Sequence, residues 1–192
     1  GAVLARPGSA EVIASADLVI AVGTELAEVD MWRPHLGHRA ALVRVDLDPE
    51  VLSDPQRAAL KIQSDAAGFA TALTAATEGK SAATGWEAGE VAEARGRWLA
   101  EVDAERPGIV PVINALRDAV PADVMVYSDM TQFAYVAKEA WAMDRPRHWH
   151  HPTGFGTLGY ALPAAIGGAA ARAGQPTLAI AGDYGFHYTM QE

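Results

Sequence analysis

Three short stretches of the chain carry residues that could hold a phosphate or a metal ion. They are SDMTQ at residues 128–132, GFGTLGYALPAAIGG at residues 154–168 and AIAGDYGF at residues 179–186. In the third stretch, Gly182 and Asp183 end an apolar run of strand length, and the glycine lets the backbone pass close to a ligand. The carboxylate suits Mg²⁺ or Ca²⁺, and the free N–H groups of a helix that begins there suit a phosphate. The structural alternative is a plain turn in which Asp183 caps its own helix.

The other two stretches also allow more than one interpretation. Gly154, Gly156 and Gly159 precede a helix of small residues, which resembles the dinucleotide-binding fingerprint in composition but not in order. That fingerprint follows a strand directly and has an acid about 20 residues later for the ribose. A nicotinamide-dependent dehydrogenase is therefore a weaker hypothesis, and a tight turn with a closely packed helix is the structural alternative. In SDMTQ, the Gln132 amide could contact a ligand from the first turn of a helix or simply follow a helix cap.

Histidines and one pair of aspartates give weaker signals. Two groups of histidines fall in different predicted units: His35 with His38, and His148 with His150 and His151. Because zinc needs three or four convergent ligands, we expect these histidines at the surface or at the rim of an active site instead. Asp46 and Asp48 would point to opposite faces of a strand, so we interpret them as turn-forming residues before Pro49.

The elements that must position these residues alternate between strands and helices. Four apolar runs of strand length end in Gly or Asp: residues 17–23, 41–48, 124–129 and 177–183. Helical patterns occupy residues 9–16, 65–77, 108–120 and 158–174, with Asp65 as a predicted N-cap. Nearly continuous apolar runs are typical of strands covered on both faces. The sequence therefore predicts an α/β fold, with parallel sheets, helices on both faces and two partial doubly wound units.

A small, polar segment separates the two predicted units. Residues 77–85 read TEGKSAATG, and residues 86–105 have the pattern of a surface helix with Trp86 and Trp98 as partial anchors. Pro107 and Gly108 end that helix. The predicted divisions are residues 1–76 for the first unit, residues 77–106 for the linker and surface helix, and residues 107–192 for the second unit.

Composition excludes several classes of protein. The chain has 192 residues, a formal net charge of −9 and no cysteine. The charge argues against a nucleic-acid partner, and the lack of cysteine excludes disulfides, thiolate catalysis and cysteine-ligated zinc. No apolar run approaches the roughly 20 residues of a membrane helix, and no secretion signal is in view. We expect a cytoplasmic protein with no membrane or nucleic-acid partner.

In their order along the chain, SDMTQ, GTLGYALPAAIGGAAA and LAIAGDYGF resemble the first half of the pyrophosphate-binding domain of thiamine-diphosphate-dependent enzymes. The acetolactate synthase and 2-oxo acid decarboxylase branch is the most similar group. Upstream, ASADLVIAVGTELAE and ALVRVDLDPEVL are similar to the second half of that family's central Rossmann-like domain. The resemblance implies that residues 1–76 belong to the central domain and residues 107–192 to the thiamine-diphosphate domain.

The resemblance also implies a cofactor, a metal and a set of binding residues. Asp183 matches the family's Mg²⁺-binding acid, the N–H groups of Tyr184 and Gly185 match those that hold the cofactor diphosphate, and Gln132 matches a side chain that contacts it. Gly156 would accept a hydrogen bond from the cofactor's 4′-amino group through its carbonyl. The implied cofactor-binding set is Gln132, Gly156, Thr157, Leu158, Gly182, Asp183, Tyr184 and Gly185, with Gly156 and Leu158 as its catalytic members. Leu158 would separate the two cofactor rings and force the bent cofactor shape.

Some positions depart from the family pattern. Tyr184 replaces the last glycine of Gly-Asp-Gly, so its backbone must stay in an ordinary conformation with the ring pointing away. Glu25 stands where relatives that bind FAD carry a basic residue, so FAD is not predicted. A second metal ligand and the activating glutamate of the family fall outside these residues.

The sequence therefore predicts part of a thiamine-diphosphate- and Mg²⁺-dependent enzyme. Its substrate would be a 2-oxo acid, and its reaction decarboxylation or carboligation. The whole protein would be a homodimer or homotetramer, and the 192 residues alone would be inactive. The alternative, motivated by Tyr184, is a non-catalytic α/β binding or assembly module that keeps the family scaffold.

Overall fold

The computed structural model describes residues 2–81 and 85–192, in two compact units that comprise residues 1–94 and 95–192. The boundary between the units falls within helix α4 (Ala88–Glu105). Each unit contains a parallel three-stranded sheet with helices connecting its strands. The predicted α/β class with parallel pairing is therefore confirmed.

The first unit is built around a sheet with the strand order β1-β2-β3. Its elements before α4 are α1 (Pro7–Ser15), β1 (Leu18–Val22), α2 (Glu28–Met31), β2 (Ala41–Asp46), β3 (Leu60–Gln63) and α3 (Ala66–Thr77). Strand β2 lies in the middle, with Val22 opposite Val45 on one side and Asp46 opposite Gln63 on the other. Asp65 caps α3 as predicted, because its carboxylate accepts a hydrogen bond of 2.8 Å from the Gly68 N–H.

The second unit has the strand order β5-β4-β6, again all parallel. Its elements after α4 are α5 (Ile109–Ala119), β4 (Met125–Ser128), α6 (Gln132–Ala140), β5 (Trp149–His150), α7 (Ala161–Ala171), β6 (Thr177–Ile180) and α8 (Asp183–Thr189). A cluster of buried apolar residues joins α4, α5 and α6 beside the sheet: Val102, Val110, Ile113, Val136, Ala137 and Trp141. Burial of this cluster removes apolar surface from water, which is the main force that holds these helices together.

Two strands, β3 and β5, were not among the predicted elements. Strand β3 reads LKIQ and strand β5 reads only WH, so neither contains the continuous apolar run that marks the other four. Both exist because they pair with the middle strand of their sheet, β3 with β2 and β5 with β4. Pairing with a distant strand is a tertiary effect that local composition does not report.

The predicted ends of all four strands were too late in the chain, by one residue for β1 and β4 and by more for β2 and β6. Strand β2 ends at Asp46 instead of Asp48, and strand β6 ends at Ile180 instead of Asp183. Asp183 is the first residue of helix α8, and Gly182 takes the N-cap position with no side-chain cap bond. Among the described residues, no helix is both long enough and apolar enough to cross a membrane.

Candidate functional site

The carboxyl ends of the neighbouring strands β4 and β6 meet at one edge of the second sheet. Asp129 follows β4 directly, and its main-chain N–H donates a hydrogen bond of 2.8 Å to the carbonyl of Ile180, the last residue of β6. Helix α6 begins just after the first strand end, and helix α8 begins just after the second. Ligands of open α/β sheets bind beyond the carboxyl ends of the strands, so this edge is the candidate site.

The Asp129 side chain connects this edge to the glycine-rich stretch. Its carboxylate is completely buried and accepts two main-chain hydrogen bonds, from Gly159 at 3.0 Å and from Ala161 at 2.7 Å. These two donors lie at the turn before helix α7 and at its first residue. One side chain thus holds a segment 30 residues further along the chain against the end of β4.

The sequence motif SDMTQ contains Asp129, but the motif alone does not distinguish this residue from its neighbours. Its position, as the acid that ends a predicted apolar run, was visible in the sequence. What the sequence could not show was the partner, because the two N–H donors belong to the backbone and carry no residue-specific signal. The structure therefore adds Asp129 to the site as the residue that brings two of the three stretches together.

Two glycines allow helix α8 to pack closely against this arrangement. A Cβ on Gly185 would overlap the Asp129 Oδ2 atom. Gly159 has a φ of +82°, and a Cβ there would lie 3.1 Å from the Tyr188 Cβ and 3.2 Å from the Thr189 Cγ2. A side chain at either position would push α8 away from the turn before α7. The close approach of the two backbones therefore explains why both residues are glycines.

The start of helix α6 and the two remaining glycines complete the edge. Thr131 caps α6, since its hydroxyl oxygen accepts a hydrogen bond of 3.0 Å from the Ala134 N–H, and Gln132 is the first residue of the helix and is exposed. A Cβ on Gly182 would lie 3.9 Å from the Thr131 Cγ2. Gly156 has a φ of +63°, and its Cβ would lie 3.9 Å from the Met130 Cε. The structure therefore places parts of all three stretches beside one another.

Most of the predicted site residues face solvent at this edge. Gly156, Thr157 and Asp183 are exposed, and the Leu158 side chain keeps 42% of its surface accessible. Tyr184 lies within helix α8, where its backbone is helical, and its ring is 70% exposed. The backbone of Tyr184 thus has the ordinary conformation that the sequence required of a tyrosine in place of the usual glycine.

Two histidines of the second unit, His150 and His151, pack beside β4. The His150 ring stacks on Tyr127 with a centroid distance of 4.8 Å. His151 is half-buried, and its Nδ1 lies 2.8 Å from the hydroxyl of the fully buried Ser128. Burial, and to a smaller extent the nearby Lys138, lowers the pKa of the His151 imidazole below its ordinary value.

The donor set at this edge fits a magnesium diphosphate. Within residues 2–81 and 85–192, no group of three or more His, Cys, Asp or Glu side chains could hold a metal ion by itself. Mg²⁺ needs no such cage, because it is commonly bound by one or two carboxylates together with phosphate oxygens and water. Asp183 offers an exposed carboxylate beside the first N–H groups of α8, which have no acceptor within the helix.

Comparisons with known proteins identify the same region. Residues 129–192 match the family model described as Thiamine pyrophosphate enzyme, C-terminal TPP binding domain. The chain is 42% identical to the Probable 2-ketoarginine decarboxylase AruI of Pseudomonas aeruginosa over 186 residues, which make up 95% of this chain and 33% of that protein. It is 28% identical to the Acetolactate synthase isozyme 2 large subunit of Escherichia coli, over 92% of this chain and 32% of that protein.

Two further similarities agree with these. The Sulfoacetaldehyde acetyltransferase of Alcaligenes xylosoxydans xylosoxydans is 28% identical over 95% of this chain and 36% of its own length. The fold matches an X-ray structure from Mycobacterium smegmatis assigned to the thiamin diphosphate-dependent enzymes, with a TM-score of 0.63 and 20% identity, over 94% of this chain and 35% of that one. The chain spans about a third of the length of the curated relatives it matches. Residues 129–192 thus match a domain of the thiamine-diphosphate-dependent enzymes, and nearly the whole chain is similar to part of the enzymes named above.

Proposed function

We propose that this chain is part of a thiamine-diphosphate- and Mg²⁺-dependent enzyme that acts on a 2-oxo acid. The observation that carries the proposal is the meeting of three stretches at the carboxyl edge of the second sheet, organised by Asp129. All three stretches lie within or directly beside the residues that match the thiamine pyrophosphate domain. A cytoplasmic location and assembly into a homodimer or homotetramer stay predictions.

The metal and the diphosphate would lie at the start of helix α8. Asp183 would hold Mg²⁺ through its exposed carboxylate, and the N–H groups of Tyr184 and Gly185 would donate to the diphosphate oxygens. Gly182 lets the backbone approach, and the Gln132 amide would contact the diphosphate from the start of α6. The helical backbone of Tyr184 supports this arrangement, because its N–H lies in the first turn of α8 and has no acceptor within the helix.

The ring portion of the cofactor would lie against the glycine-rich turn. The carbonyl of Gly156 would accept a hydrogen bond from the 4′-amino group, and the Leu158 side chain would support the bent shape of the cofactor. Thr157 lies between them on the same exposed segment. When bound, thiamine diphosphate supplies a centre that stabilises the negative charge left when a 2-oxo acid loses carbon dioxide. The chain's own contribution is to hold the reacting groups in a fixed orientation.

Decarboxylation is the reaction class that the similarities favour. The relative with 42% identity is named for the decarboxylation of 2-ketoarginine. The relatives named as acetolactate synthase and sulfoacetaldehyde acetyltransferase are only 28% identical and represent carboligation and acetyl transfer. We therefore propose a 2-oxo acid decarboxylase, with 2-ketoarginine as the first substrate to test and carboligation as the second activity.

Ligand-induced thermal stabilisation of the full-length protein tests the proposal. Thiamine diphosphate with Mg²⁺ should raise the melting temperature, because a ligand that binds only the folded state stabilises it. Asp183→Ala should abolish that rise, whereas the control Asp103→Ala, on the exposed surface of α4, should keep it. Carbon dioxide release from a panel of 2-oxo acids then identifies the substrate.

The competing hypothesis is a non-catalytic module that keeps the scaffold. This hypothesis was suggested by Tyr184 in place of glycine, and the ordinary helical backbone of that residue supports the enzyme instead. If the full-length protein shows no stabilisation by thiamine diphosphate and Mg²⁺, the enzyme proposal fails and the module is favoured. Stabilisation without turnover of any 2-oxo acid would leave cofactor binding in place and refute the reaction class.

A further inference from the structure

The Asp129 carboxylate has no role in the residue assignments that the family resemblance provides, yet it is the most completely embedded acid of the candidate site. It is fully buried, and each of its two oxygens accepts one main-chain N–H, from Gly159 and from Ala161. Its own N–H is bonded to the carbonyl of Ile180. A buried carboxylate must have such partners, because an unpaired charge in the interior is costly.

These bonds determine where the glycine-rich turn can lie. Gly159 immediately follows Leu158, and Met130, the neighbour of Asp129, borders Gly156 at the other end of the turn. The segment from Gly156 to Leu158 is exposed, so it has little packing of its own to hold it. Its position therefore depends on what holds its two ends, and at the Gly159 end that is the Asp129 carboxylate.

We infer that Asp129 is a positioning residue that sets the Gly156–Leu158 turn for the ring portion of the cofactor. This inference rests on the proposed function, since the turn has a ring to meet only in a thiamine-diphosphate enzyme. Asp129 acts through the main chain of Gly159 and Ala161, and its own carboxylate is fully buried beneath the turn's attachment. If Asp129 has this positioning role, its replacement should weaken binding of the ring portion of the cofactor more than binding of the diphosphate portion.

Asp129→Asn is the variant that separates these two sides. The amide has the same shape as the carboxylate but replaces one acceptor oxygen with an NH₂ donor, which would face a main-chain N–H donor. One of the two bonds to the turn must therefore be lost, while the volume of the side chain is kept. The overlap that a larger side chain would create with Gly185 is also avoided.

The first measurement needs no cofactor. Hydrogen–deuterium exchange of the full-length protein should show faster exchange in the peptide that covers residues 154–162 of Asp129→Asn than in the wild type. The control Ile113→Val, in the buried cluster of α4, α5 and α6, should leave the exchange of that peptide unchanged. Unchanged exchange of residues 154–162 in Asp129→Asn would overturn the inference, whatever the cofactor proves to be.

The second measurement compares two ligands by calorimetry in the presence of Mg²⁺. Asp129→Asn should bind thiamine diphosphate about tenfold more weakly than the wild type, because binding must then order a turn that has lost one of its two bonds to residue 129. Its dissociation constant for inorganic pyrophosphate should change by less than about threefold, which is the scatter between independent sites. Ile113→Val should leave both constants unchanged.

The outcomes of these experiments distinguish the inference from the proposed function. Equal weakening of thiamine diphosphate and pyrophosphate in Asp129→Asn would indicate a purely structural role and overturn the positioning role. Wild-type affinity for thiamine diphosphate in that variant would overturn it as well. A wild-type protein that binds neither ligand would refute the proposed function, and with it this inference, even if the exchange of residues 154–162 responds as expected.

Discussion

Each sheet has an aspartate at the carboxyl end of its middle strand, but the two aspartates make different kinds of contact. Asp46 is the last residue of the middle strand β2, and Asp129 directly follows the middle strand β4. Asp46 accepts a hydrogen bond of 3.0 Å from the N–H of Asp48, only two residues away and in an exposed turn. The Asp129 carboxylate is buried and reaches N–H donors 30 and 32 residues away. The first aspartate shapes a local turn, and the second assembles a site.

Burial explains why the same side chain has such different consequences. In the exposed turn, water can replace a lost hydrogen bond, so the net contribution of the Asp46 bond is small. At the end of β4, water is excluded, and removal of the carboxylate would leave its main-chain partners unpaired. The comparison indicates that an acid at a strand end becomes part of a site when tertiary packing buries it against backbone donors.

The largest expected effect on stability comes from removing the Asp129 carboxylate, and removal of the Asp46 carboxylate is the matched comparison. Asp129→Ala should lower the free energy of unfolding by about 4 kcal/mol, because two buried N–H groups lose their acceptor at about 1–3 kcal/mol each. Asp46→Ala should lower it by about 0.5 kcal/mol, since its bond is exposed. Urea denaturation measures both values. Similar losses of unfolding free energy in the two variants would contradict the contrast between the long-range bonds of Asp129 and the local bond of Asp46.

The next effect compares two glycines that each face an aspartate. A Cβ on Gly185 would overlap the buried Asp129 carboxylate, whereas a Cβ on Gly68 would lie 2.8 Å from the exposed Asp65 carboxylate in the cap of its own helix. Gly185→Ala should cost about 2–3 kcal/mol, because its neighbour cannot move. Gly68→Ala should change stability by less than about 0.5 kcal/mol, because Asp65 can rotate and alanine favours the helix. Equal costs in urea denaturation would refute this distinction.

A smaller effect is expected from adjacent glycines in helix α7. A Cβ on Gly168 would overlap the Tyr127 hydroxyl of strand β4, whereas a Cβ on Gly167 would meet nothing within 4 Å. Gly168→Ala should destabilise the protein by about 1–2 kcal/mol, because the Tyr127 ring must shift. Gly167→Ala should stabilise it by about 0.5 kcal/mol through helix propensity. Thermal unfolding tests the pair, and a stabilised Gly168→Ala would show that α7 does not pack tightly on β4.

The smallest effect concerns pH. Because burial lowers the pKa of His151, the unfolded chain binds a proton more readily than the folded one as the pH falls below about 6.5. The stabilisation linked to neutral His151 is therefore complete above that pH and is lost as the pH falls toward the lowered pKa. His151→Gln should reduce the drop in melting temperature between about pH 7.5 and about pH 5. An unchanged drop would show that His151 is not a source of the pH dependence.

Local patterns predicted most of the elements and few of the contacts. Apolar runs predicted β1, β2, β4 and β6, and the Asp65 cap of α3 was predicted from a single residue. The strands without an apolar run, β3 and β5, were missed because their pairing with a middle strand is what defines them. The three stretches of the candidate site were found because their motifs recur in a family. Asp129 was overlooked because its partners are main-chain groups.

The sequence by itself determined the α/β class, the parallel sheets and the stretches that carry the chemistry, because periodicity, capping and glycine placement are local properties of the chain. Only the tertiary structure decided which acid organises the site and why Gly159 and Gly185 must be glycines. Both answers depend on atoms brought together from about 30 to 56 residues apart and on the exclusion of water between them. Residues so far apart in the sequence form no local pattern that would predict these contacts, because the contacts form only when the helices pack against the sheet.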